Sequence, residues 1–147
     1  MGTIEVPIHR LDKDMEMPAY AYLGDAGLDL RSAIDIELAP FERALISTGV
    51  SLAIPQGYAG FVLPRSGSAI KSGLSLVNAP GLIDSSYRGE VKVIAINLDP
   101  KQSITIQRND RIAQLVIMET PAVNLVEADE LQESQRGEGG FGSSGTT

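Results

Sequence analysis

Five stretches of this sequence carry side chains that could do chemistry, and each also has a plain structural explanation. The first is Ala26-Gly27-Leu28-Asp29-Leu30, where an aspartate stands between leucines at strand spacing. It suits a strand-entry turn or a carboxylate near a hard metal ion. The second is Pro64-Arg65-Ser66-Gly67-Ser68-Ala69-Ile70-Lys71-Ser72-Gly73. Small residues leading into a short helix suit an anion site, because N–H groups at a helix start point at the ligand. Arg65 would add a planar fork of donors and Ser66 a hydroxyl. The glycine–lysine spacing of a Walker phosphate loop is absent, and a simple loop with a capping serine accounts for the same residues.

The third stretch, Asn78 to Glu90, reads as a β-hairpin with a glycine-rich base. Such a hairpin can offer backbone N–H and C=O groups to a base edge. Asp84 near Tyr87 gives a candidate general base beside an aromatic wall, or simply a turn aspartate. The fourth is Asp110-Arg111-Ile112-Ala113-Gln114-Leu115, in which Gln114 sits in an apolar strand. A buried amide needs partners, which are either structural groups or a ligand phosphate. The fifth is Arg136-Gly137-Glu138-Gly139-Gly140-Phe141-Gly142-Ser143-Ser144-Gly145. Its composition is that of a flexible linker or tail. Yet an arginine opens it and Phe141 sits among its glycines; a linker has no use for Phe141, whereas a ligand-covering flap does.

The elements that must position these residues are strands. Ile4, Val6 and Ile8 alternate with polar positions, and Pro7 marks that strand as an edge. Ile34, Ile36 and Leu38 alternate in the same way, as do Val91 with Val93 and Ile104 with Ile106. Leu115 to Met118 is a short continuous apolar run. Turn residues fall between: Leu23-Gly24-Asp25, Pro55-Gln56-Gly57, Pro64, Pro80-Gly81, Asp99-Pro100 and Asn109-Asp110. Many short strands at this spacing predict an all-β sandwich, jelly roll or barrel. The only helix expected is short, over 66–72. Residues 1–130 read as one β-domain and 131–147 as a C-terminal arm.

Composition narrows the possibilities. A chain of 147 residues fits one domain, and 43% apolar residues is globular. Aromatics are only 5% with no Trp, so the core must be built from Val, Ile, Leu and Ala. The net charge of −7 argues against nonspecific nucleic-acid binding. No cysteine is available for disulfides or thiolate chemistry, and one histidine cannot make a His-based zinc site. No apolar run approaches membrane-spanning length, which leads us to expect a soluble, cytoplasmic protein without membrane partners.

Taken together and in this order, the five stretches resemble the five motifs of the trimeric dUTPase family. The resemblance covers Ala26 to Gly145; GLIDSSYRGE and RGEGGFGSSG carry most of its specificity. It implies a jelly-roll-like subunit in a homotrimer, with sites shared between subunits and the arm of one closing over a site formed by others. The implied reaction is Mg²⁺-assisted hydrolysis of dUTP to dUMP and pyrophosphate, which would limit uracil incorporation into DNA and supply dUMP for thymidylate synthesis.

The resemblance also implies residue roles. Asp84 would orient and deprotonate the attacking water and contact the deoxyribose 3′-OH. Arg65, Ser66 and Gly67 would bind phosphate oxygens, with Gln114 holding phosphates or a metal-bound water. Asp29 would sit in the metal's outer shell. Asn78, Gly81 and the backbone through Leu82 and Ile83 to Asp84 would read the uracil edge. Tyr87 would pack under the deoxyribose and exclude a 2′-OH, and Lys92 matches a substrate-contact position. Arg136 would grip the γ-phosphate and Phe141 would stack on uracil, while Gly142, Ser143 and Ser144 close over the phosphates. Two positions depart from the family pattern: Ser68, where leucine is common, and Asn109, where glycine is common. A related fold, dCTP deaminase, carries a glutamate about ten residues after the hairpin aspartate; here that position is Ile94. A nucleotide-binding regulatory module that has lost hydrolysis is the other alternative; it predicts dUTP binding without pyrophosphate release.

Overall fold

The computed structural model describes residues 2–147. Ten strands and one helix follow one another as β1 (Ile8–Arg10), β2 (Leu28–Arg31), β3 (Ile36–Leu38), β4 (Arg43–Leu52), β5 (Tyr58–Leu63), α1 (Ser66–Ser72), β6 (Leu74–Leu76), β7 (Gly81–Ile83), β8 (Glu90–Asn97), β9 (Ile104–Ile106) and β10 (Arg111–Glu119). Two four-stranded antiparallel sheets are ordered β1-β4-β8-β6 and β2-β10-β5-β7, and β3 pairs with β9.

Alternation puts one face of each strand inward. In β8, Val91, Val93, Ala95 and Asn97 are buried, while Lys92 points outward. The core joins Leu30, Leu38, Ile46, Val62, Ile83 and Leu115 with their neighbours from both sheets. It is aliphatic, as the composition requires. Among the described residues Asn97 is one of three buried polar ones, the others being Ser32 and Thr48. Its Nδ2 donates to the carbonyls of Leu38 and Gln102, and its Oδ1 accepts from the Asp99 N–H, so the buried amide is satisfied.

The first strand is shorter than the Ile4–Val6–Ile8 alternation predicts. It starts at Ile8 and lies at the sheet edge beside β4, with Pro7 just outside it. Proline has no N–H to give a ladder, which fits that place. The helix falls on the predicted residues. Gly73 ends it at φ 74 and donates back to the Ala69 carbonyl, a left-handed cap that glycine adopts without strain.

One expectation is corrected. The segment from Asn78 to Glu90 is not a paired hairpin: β7 bonds to β5 in one sheet, and β8 bonds to β4 and β6 in the other. The connection between them carries Asp84 and Tyr87 across from one sheet to the other. Past β10, residues 120–147 form no strand or helix and are mostly exposed.

Candidate functional site

The first group of predicted residues meets at the end of β5. Gln114 on β10 stands directly opposite Asp29 on β2 and Leu63 on β5. Residues opposite in a ladder share a face, so these three form one row on the outer side of the sheet. The Gln114 amide donates through Nε2 to the Pro64 carbonyl at 2.9 Å, which pins the turn into α1. Its Oε1 lies against Gly27, where a Cβ would overlap it and come within 3.1 Å of Gln114 Cβ and Cδ. Glycine at 27 is therefore what makes room for this amide.

Arg65 occupies the N-cap of α1, and no side chain caps that end; Ser66 is the first helical residue rather than the cap. The Nε of Arg65 donates to Asp29 Oδ1 at 3.1 Å, and the Nε of Arg111 lies 3.5 Å from Asp29 Oδ2. The Asp29 side chain is only 15% exposed, so two cations around one half-buried carboxylate compensate its desolvation. Asp29 thus orients Arg65, leaving the far N–H groups of that guanidinium for another acceptor. Asp29, Arg65, Ser66, Gly67 and Gln114 line a cleft of about 460 Å³.

The second group lines a different cleft, of 520 Å³, made by Leu82, Ile83, Asp84, Tyr87 and Lys92 with Leu45, Glu90 and Ile94. Asp84 and Tyr87 sit in one turn, closed by the Tyr87 N–H donating to the Asp84 carbonyl. The Tyr87 hydroxyl donates to the Glu90 carbonyl at 2.9 Å. The carboxylates of this cleft are Asp84 and Glu90, and Ile94 presents hydrocarbon. Asn78 and Gly81 stand at the root of β7, with the Asn78 amide packed against Gly81, and line neither cleft.

The two clefts share no lining residue, and no arm residue lines either. Arg136 bonds within the arm, to the Gly139 carbonyl. Phe141 is fully exposed, and Gly142, Ser143 and Ser144 are exposed as well. Within one chain, then, three sets of predicted residues stay apart. Sequence reasoning missed Arg111 as the second partner of Asp29. It also missed Tyr22 and Asp25, which line the Arg65 cleft and are joined by the Tyr22 N–H donating to Asp25 Oδ2. The Leu23-Gly24-Asp25 turn signal marked the loop but not what it faces. Of the two departures, Asn109 keeps its turn by taking φ 74, a conformation asparagine tolerates better than most residues.

These residues suit a magnesium ion that arrives on a substrate. Among the described residues there is no group of three or more His, Cys, Asp or Glu side chains able to hold a metal. Magnesium is commonly held by substrate phosphates, its own waters and one or two protein groups. Asp29 and the Gln114 Oε1 can accept hydrogen bonds from such waters without direct ligation.

The fold and its clefts define an all-β jelly-roll chain with one arginine-lined pocket and one carboxylate–tyrosine pocket on separate surfaces. The chain belongs to the dUTPase family, whose model matches residues 13–145. The deoxyuridine 5′-triphosphate nucleotidohydrolase of Streptomyces coelicolor is 57% identical over 142 residues, covering 97% of this chain and 78% of the relative. That of Corynebacterium glutamicum is 51% identical, covering 97% and 95%. A Staphylococcus bacteriophage 80alpha dUTPase mutant solved with dUpNHpp superposes with a TM-score of 0.90 at 32% identity, covering 98% of this chain and all of that one. A phage phi11 dUTPase mutant described with a structural Mg(II) ion gives 0.79 at 27% identity, covering 86% and 98%.

Proposed function

We propose that this chain hydrolyses dUTP to dUMP and pyrophosphate, and that it does so as a homotrimer with sites shared between subunits. The observation that carries the reading is the separation of its functional groups. A nucleoside triphosphate needs the arginine cleft, the Asp84–Tyr87 cleft and the arm at once, and one chain keeps them apart. Assembly of several copies supplies all three to one ligand. Exposed apolar residues outside both clefts, Met118 on β10 at 52% and Ile70 on α1 at 85%, give copies something to bury against. The phage relative bound to dUpNHpp supports dUTP as the ligand.

The chemistry follows from the groups present. Asp84 accepts a proton from water as the water oxygen bonds to the α-phosphorus. The bond from that phosphorus to the bridging oxygen of the β-phosphate breaks, and pyrophosphate leaves. Arg65, held by Asp29, directs its free N–H groups at phosphate oxygens with Ser66 and Gly67. A magnesium ion arriving with the substrate, its waters bonded to Asp29 and the Gln114 Oε1, would offset charge on the leaving pyrophosphate. Tyr87 forms the wall under the sugar, and Lys92 contacts substrate beside it. Asn78 and the backbone from Gly81 through Ile83 to Asp84 read the uracil edge. Residues 131–147 act as the arm: Arg136 grips the γ-phosphate, Phe141 stacks on uracil, and Gly142, Ser143 and Ser144 cover the phosphates. Asp84→Asn tests the reading: turnover falls about 100-fold or more while dUTP binding persists. Near-normal turnover contradicts it.

A further inference from the structure

Gly89 is constrained by a single neighbour. A Cβ built on its backbone overlaps the Tyr87 hydroxyl and lies 2.6 Å from Cζ and 3.0 Å from Cε2 of the same ring. Gly89 is not among the residues of positive φ, so its backbone would accept an alanine. The obstacle is the ring. That ring is also tied at its far end, where its hydroxyl donates to the carbonyl of Glu90, the first residue of β8. Its own N–H reaches back to the Asp84 carbonyl. The Tyr87 ring therefore folds back over Gly89 as it faces the Asp84 cleft.

We infer that Gly89 is a positioning residue for sugar selectivity: the missing side chain at 89 seats the Tyr87 ring, and the seated ring excludes a 2′-hydroxyl. The inference rests on the proposal that Tyr87 packs under the deoxyribose. Separations this short are well inside van der Waals contact, so an added methyl group must displace the ring. The displaced ring rotates about its side-chain bonds and gives up its anchor to Glu90. Asp84 is joined to Tyr87 through the backbone turn and is not displaced by that rotation. Selectivity between deoxyribose and ribose substrates then falls more than hydrolysis of dUTP does, because discrimination is a difference between two fits to one wall.

The test compares Gly89→Ala, Tyr87→Ala and the double variant in the full chain, measuring kcat/KM for dUTP and for UTP. The ratio of the two is independent of the fraction of active enzyme, so partial misfolding does not obscure it. Gly89→Ala is expected to lower the dUTP/UTP ratio about tenfold or more. The double variant is expected to match Tyr87→Ala alone, since the alanine at 89 then has no ring to displace. If Gly89→Ala lowers both substrates equally, or costs a further loss of selectivity in the double variant, Gly89 does not act through Tyr87. If Tyr87→Ala leaves the ratio unchanged, the sugar-wall reading itself fails. A ratio that falls in Tyr87→Ala but holds in Gly89→Ala overturns the Gly89 inference alone.

Discussion

In the proposed site Asp84 and Phe141 would divide the work in opposite ways, one on a tight turn and the other on an exposed arm. Asp84 sits just past β7, in a turn closed by its own carbonyl and the Tyr87 N–H. Its position is set before substrate arrives, which suits a general base. Phe141 is fully exposed at φ 50 and has nothing to pack on within its own chain. Phe141→Ala should therefore leave thermal stability unchanged and weaken dUTP by about 1–3 kcal/mol, the range of base–aromatic stacking. Steady-state kinetics against a melting curve checks this; unchanged kinetics would remove Phe141 from the site. In the sequence Phe141 stands out as an aromatic among glycines, whereas the proposed roles of Asp84 and Phe141 come from the family resemblance rather than from local pattern. The Asp29–Arg65–Arg111 cluster was not legible as a cluster. Its members come from β2, the start of α1 and β10, and no local pattern reports contacts between such distant segments.

At the scale of elements, alternation reported which face of a strand is buried, and the core follows it closely. It could not report the partner. The stretch from Asn78 to Glu90 has the residue pattern of a hairpin, yet its two strands enter different sheets. Six residues, 84–89, separate β7 from β8, enough chain to change sheets. Register with β5 and β4 then decides the outcome. The short helix falls on the expected residues, 66–72, and Gly73 ends it. Loop anchors make a further prediction. Asp12 lies below its ordinary value of 3.8, held down chiefly by its bond to the Arg108 guanidinium. Asp99 is lowered by the backbone N–H groups of Gln102 and Lys101. A carboxylate lowered on folding stabilises the fold above 3.8 and loses that contribution as pH falls through its folded value. Asp12→Asn and Asp99→Asn should therefore lower stability near neutrality and flatten its loss in acid. Circular dichroism melts across that range check it, and identical acid profiles would contradict it.

The whole molecule is where the proposed mechanism stands or falls, because within one chain the two clefts share no lining residue and the arm lines neither. Trimerisation entered the sequence reading through family resemblance, since periodicity within a chain says nothing about copies of it. The two separate clefts and the unattached arm are what the proposed assembly would bring together. Truncation before Arg136 should leave a folded trimer with little activity, read by light scattering alongside turnover; a monomeric product would contradict the account. Mixing that truncated chain with Asp84→Asn, followed by subunit exchange, should restore part of the activity, since each supplies what the other lacks. Both chains staying inactive in mixed trimers would place the arm and Asp84 in the same chain's site. The most direct measurement of the central claim is pyrophosphate release from dUTP, dCTP, dTTP and UTP, with and without Mg²⁺. The account predicts release from dUTP alone and its strong dependence on Mg²⁺. Binding of dUTP without release, or comparable release from any of the other three, would contradict it.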